Sequence, residues 1–130
     1  MIPERYAPMT YALFRIVFGF LFFLFGLQKM FGILGGQVMP LGSMLGAAGV
    51  IETVCGFLIM IGFFTKYAAF LASGEMAVAF FMAHFPNGWH PLMNHGEPAV
   101  LFCFAFLYMA ARGSGRYSVD AVRVGTRRLT

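Results

Sequence analysis

Four stretches of the chain, at about 9–31, 41–64, 67–85 and 97–111, are almost free of polar residues, and each is bounded by glycine, proline or charge. A membrane crossing takes roughly 20 apolar residues, so the pattern predicts an all-α, polytopic membrane four-helix bundle. The first two stretches are joined by GILGGQVMP, whose glycines and Pro40 predict a turn. FTKY, between the second and third, leaves so little chain that those helices should be antiparallel neighbours. The third and fourth are joined by FPNGWHPLMNHGEP, the one connection with chemical variety.

The few polar positions inside these stretches are not scattered. At 100° per residue, Arg15, Gly19, Phe22, Gly26 and Lys29 fall within an arc of about 80°. Glycines on a membrane helix let a partner backbone approach closely, so this stripe is expected to face the bundle. The second stretch carries a matching stripe of Gly42, Gly46, Gly49, Thr53 and Gly56, with Glu52 at its edge. Glu75 lies near the middle of the third stretch, and Glu97 opens the fourth. Three of the five acidic residues therefore sit in or beside apolar spans, where an unpaired charge costs at least ~3 kcal/mol.

Helical rise sets an expected depth for each charge. Counted from Lys29 in the first stretch, from Pro40 in the second and from His84 in the third, Arg15 lies about 20 Å in, Glu52 about 18 Å and Glu75 about 14 Å. This predicts an inner cluster of Arg15 with Glu52 and Glu75, and an outer pair of Lys29 with Glu97. The cluster has two readings: a polar clamp that sets helix register, or the lining of a ligand or proton site. The residues alone leave both open.

Composition supports the membrane class. Hydrophobic residues make up 60% of the 130 and charged residues only 11%, too few to cover a soluble surface. The net charge of +4 comes mostly from Arg112, Arg116, Arg123, Arg127 and Arg128 in a basic tail at 112–130. With Arg5 and Lys66 on the same side, the positive-inside bias places both N- and C-termini in the cytoplasm. This account leaves the tail no need of nucleic acid. The first apolar run is too long for a signal peptide and has no small-residue cleavage site, so it is expected to be a retained helix.

Cys55 and Cys103 fall at different expected depths and suggest no disulfide. His84, His90 and His95 gather near Trp89 and Glu97 in the outer connection, but their spacing matches no metal signature. His84, Trp89, His95 and Tyr108 are secondary site candidates behind Arg15, Lys29, Glu52, Glu75 and Glu97. Seventeen phenylalanines and ten methionines would suit an adaptable apolar pocket, and would equally suit contact with lipid.

Three blocks resemble the DoxX family of small four-helix membrane proteins. They are RIVFGFLFFLFGLQKMFG, ETVCGFLIMIGFFTKYAAF and NHGEPAVLFCFAFLYMAARGSGRYSVDA, which together span nearly the whole chain. Positions matching the family pattern are Arg15, Gly26, Lys29, Glu52, Gly56, Glu97, Gly113, Gly115, Arg116, Ser118 and Asp120. His95 departs from the glycine common there, and GWHPLMN has no matching segment. The resemblance implies one transmembrane domain over 1–130 in a bacterial-type inner membrane, associated with oxidoreductase systems acting on quinone or on thiol and sulfur compounds. No flavin, nucleotide or iron–sulfur motif is evident. A redox role would therefore need a bound quinone or a redox partner protein. A homodimer is compatible with the glycine stripes, and a small-molecule transporter or a non-catalytic scaffold are the alternatives.

Overall fold

The computed structural model describes the backbone of residues 1–129 and the side chains of residues 1–124. All of its secondary-structure elements over that range are helical. Helix α1 spans Ala7–Phe31, α2 Met44–Ile61 and α3 Thr65–Ala79. The last of these continues through a π turn at Phe80–His84 into a 3-10 turn at Phe85–Asn87. A short α4 (Pro91–Asn94) precedes α5 (Glu97–Arg112), and α6 covers Val119–Leu129.

The helix ends follow from local chemistry. Gly32 and Gly62 close α1 and α2 in the left-handed region, with φ of 69° and 76°, a conformation glycine adopts without penalty. The second helix starts at Met44 rather than near 41 because Leu41–Ser43 complete a turn after Pro40. The Ser43 hydroxyl then accepts from Gly46 N–H at 3.1 Å as its N-cap. At the other end α3 starts at Thr65, earlier than expected, so the α2–α3 connection is shorter than FTKY.

Helices α1, α2 and the α3 continuation are long and apolar enough to cross a membrane, over Glu4–Phe31, Met44–Ile61 and Thr65–Asn87. The expected fourth span is only 16 residues long, about 24 Å against a hydrocarbon core of about 30 Å. The basic tail contains α6. Ser118 starts that helix by accepting from Ala121 N–H at 3.1 Å, a cap visible in YSVDA.

Helix α1 packs chiefly on α2, and α3 on α5, with α2 against α3 between the pairs. The first pair is in backbone contact along its glycines. A Cβ built on Gly56 would lie 2.5 Å from Phe23 N, one on Gly26 2.4 Å from Thr53 N, and one on Gly19 2.7 Å from Met60 N. Both expected stripes therefore face one another, except that Gly42 lies in the turn before α2. Ala68, Ala69 and Ala72 are buried on α3, which packs on α5, and Ser73 Oγ donates to Cys103 O at 2.8 Å. Phe22, Phe102 and Phe106 meet at the centre, with ring centroids 4.8–5.8 Å apart.

Candidate functional site: an apolar cavity and a polar lock

The glycine contacts set the register of α1 against α2: Lys29 lies beside Gly49, Gly26 beside Thr53, Phe23 beside Gly56 and Gly19 beside Met60. One further turn carries Arg15 beyond the end of α2, to Gly62. Arg15 is 2% exposed there. Its Nε donates to Ile59 O at 3.0 Å, Nη1 to Ser114 O at 2.5 Å and Nη2 to Tyr117 O at 2.9 Å. The guanidinium thus adds a second donor to a carbonyl in the last turn of α2, which also accepts from the capping Gly62 N–H at 3.1 Å, and it satisfies two carbonyls of the tail.

This overturns the expected Arg15–Glu52–Glu75 cluster. A depth counted from Pro40 is too great, because the residue facing Lys29 is Gly49, about nine residues or 13 Å further on. The expected Lys29–Glu97 pair is also absent. Lys29 Nζ reaches inward to Glu52, at 2.8 Å from Oε1 and 2.6 Å from Oε2. Glu97 instead lies exposed in the first turn of α5.

Other groups complete the lock around Arg15. Tyr11 Oη donates to Gly113 O at 2.6 Å. Asp120 accepts from the Phe64 and Thr65 amides at 3.0 and 3.3 Å, and from the Ser114 hydroxyl. Burial pushes the Asp120 carboxyl up, but these donors and the Arg123 charge outweigh it and hold it below its ordinary value. Asp120 therefore caps α3, supplying acceptors for amides at its N-terminus. Gly113 and Gly115 turn the loop with φ of 91° and 83°. Tyr11 was missed in the sequence, although it lies one turn from Arg15 on the same stripe.

The second polar centre is a cavity. A space of about 1110 Å³ lies between α2 and α3 and is closed behind by Phe25 of α1 and Phe102 of α5. Its walls are almost wholly apolar, with Lys29, Glu52, Lys66, Glu75 and His84 as the charged or titratable exceptions besides Tyr67. Glu52 is 1% exposed, and its carboxyl meets both the Lys29 ammonium and the carboxyl of Glu75. Glu75 lies within side-chain hydrogen-bond reach of Glu52 and electrostatic reach of Lys29, while its Oε2 is buried with no hydrogen-bond partner. The structure thus brings Lys29, Glu52 and Glu75 together and sends Arg15 elsewhere.

The secondary candidates scatter. His84 stands at the cavity wall, with Nδ1 3.2 Å from Asn94 O. Trp89 is 73% exposed, its ring edge-on to His90. His95 occupies a left-handed position, φ 62°, which explains why glycine suits that site. Tyr108 lies on the outside of α5, its ring 6.0 Å from that of Tyr11. Among the described residues no three histidine, cysteine or acidic side chains gather as a metal site. Cys55 and Cys103 are both free thiols.

A family model described as DoxX matches residues 10–85, covering α1 from Thr10 on, α2, α3 and both charges of the ion pair. A protein of Haemophilus influenzae described as "Uncharacterized protein" is 39% identical over 124 residues, covering 90% of this chain and 92% of the relative. No solved structure matches.

Proposed function

Because the chain belongs to the DoxX family, we propose that it is a ligand-binding membrane subunit of an oxidoreductase system linked to quinone or to thiol and sulfur chemistry. It crosses a bacterial cytoplasmic membrane four times, with both termini inside. Lys66, Arg112 and Arg116 share one end of the bundle with Arg5, which supports that orientation. The short α5 makes the fourth crossing by thinning the bilayer locally.

The observation that carries this reading is the cavity. Small-molecule sites occupy about 300–1,000 Å³ and combine apolar walls with few polar groups, and the space between α2 and α3 has that character. A quinone ring suits walls of Phe25, Phe70 and Phe102, and its carbonyl can accept from Lys29. Electrons reach such a ring from a partner dehydrogenase or thiol system at the membrane surface. The scaffold role is assigned to the Arg15 lock, which lies apart from the cavity. The transporter reading retains one observation in its favour, the unpartnered oxygen of Glu75.

The test is purification from native membranes followed by quinone analysis of the lipid extract. We expect quinone to co-purify in near-stoichiometric amount and to be lost in Ala48→Trp, which fills the cavity wall. Protein free of quinone, unable to bind a short-chain ubiquinone when it is added back, would remove this function.

A further inference from the structure

The charges around the cavity do not balance. Lys29 on α1 and Glu52 on α2 neutralise one another through two hydrogen bonds. Glu75 on α3 adds a second carboxyl, which lies against that of Glu52 so that a proton on the pair can be shared between them, and whose Oε2 meets no donor. The remaining titratable groups facing the space are Lys66, Tyr67 and His84 from α3 and its continuation. Cys55 of α2 lies within electrostatic reach of Glu75. The part of α5 that lines the cavity (Pro98, Ala99, Phe102 and Ala110) brings no charge. Lys66 and His84 are each nine residues from Glu75, about 13 Å along the helix, near opposite ends of the space. No fixed cation is therefore left to offset Glu75.

A net charge buried among apolar walls is strongly disfavoured. The cavity is neutral in two states: with a proton on Glu75, or with one positive charge beside an ionised Glu75. Its walls suit the second state, because Phe25, Tyr67, Phe70 and Phe102 can face a cation with their rings while Met44, Met76 and Met82 adapt to its bulk. We propose that the cavity binds lipophilic monovalent organic cations at Glu75, in exchange for one proton. Cation binding releases the Glu75 proton, and return of the proton expels the cation. The inference rests on the cavity being a ligand site, but not on its natural occupant being a quinone.

The probe is tetraphenylphosphonium, titrated calorimetrically into the full-length protein in neutral detergent between pH 6 and 9. Where proton and probe compete, affinity should rise about tenfold per pH unit, with close to one proton released per probe in weakly buffered solution. Glu75→Gln should bind at least tenfold more weakly and with no pH dependence, whereas Glu97→Gln, outside the cavity, should match wild type. If Glu75→Gln does not fold, Glu75→Asp serves instead and should retain both the pH slope and the proton release. Wild-type affinity in Glu75→Gln, or binding without proton release, would mean mere partition onto apolar walls and would overturn the proposal. A short-chain ubiquinone tested alongside separates the two ideas. If the quinone binds and the cation does not, cation exchange fails and the quinone reading stands. The reverse result retains cation exchange and removes quinone, and failure of both probes removes both.

Discussion

Replacing Arg15 by methionine separates the polar lock from the cavity charges. The substitution keeps an apolar stem and removes three charge-assisted hydrogen bonds, to Ile59 O, Ser114 O and Tyr117 O. Bonds to a charged group contribute about 1.5–3 kcal/mol each, so the three together amount to roughly 5–9 kcal/mol. Tyr117 is exposed, and water reaching the loop carbonyls restores part of this, leaving an expected loss of about 4 kcal/mol. The decisive quantity is the coupling to Glu52. Arg15 sits level with Gly62, ten residues from Glu52, or about 15 Å along the helix. A double-mutant cycle of Arg15→Met with Glu52→Gln should therefore be additive to within about 0.5 kcal/mol. The cycle of Lys29→Met with Glu52→Gln should show coupling of about 2–3 kcal/mol. Both can be followed by equilibrium unfolding of the purified protein in mixed micelles. Coupling above about 1 kcal/mol between Arg15 and Glu52, or none between Lys29 and Glu52, would refute the register derived from the glycine contacts.

Two further predictions concern the packing and the tail. Asp120→Ala should cost about 1–2 kcal/mol at neutral pH by uncapping α3. The folded Asp120 carboxyl is depressed, so its contribution is fully present above the unfolded value of about 3.9 and fades as pH falls through the lower folded value. Thermal melts of wild type and Asp120→Ala should accordingly converge below about pH 4, and a constant gap down to pH 2 would contradict the capping role. Gly56→Ala should destabilise by about 1–3 kcal/mol, because the new Cβ would press on Phe23 backbone 2.5 Å away. Gly74→Ala, with nothing within 4 Å, should be neutral or stabilising by up to about 1 kcal/mol, and the reverse ranking in melts would contradict the packing.

The period of 3.6 was enough to place Arg15, Gly19, Phe22 and Gly26 on one buried face, because burial of a helix stripe depends only on angle. Pairing across helices depends on register as well, and register lay in the linker. GILGGQVMP does not simply join two levels. It folds back so that Met39 N–H donates to Lys29 O, and α2 begins past Pro40, which displaced every depth counted from that proline. Glu52 and Glu75 were recognisable as intramembrane carboxyls, and their shared cavity lies where α2 and α3 were expected to be neighbours. Arg15's partners could not be read from charge pairing, since all three are backbone carbonyls and carry no side-chain signature. α6 is legible through Ser118, whose hydroxyl caps it, but the five arginines of the tail carry a charge signal that says nothing of a helix.

The lock has a consequence for how the chain is made. Arg15 enters the membrane with the first helix, but two of its three acceptors, Ser114 O and Tyr117 O, lie 99 and 102 residues later. Until the last segment leaves the ribosome, the guanidinium has only Ile59 O and passing water or lipid headgroups. Assembly therefore ends with a closing step in which the tail seals the helix that was inserted first. A chain interrupted before Ser114 would contain every apolar helix and still leave a buried charge unmet, which marks an unfinished copy as defective.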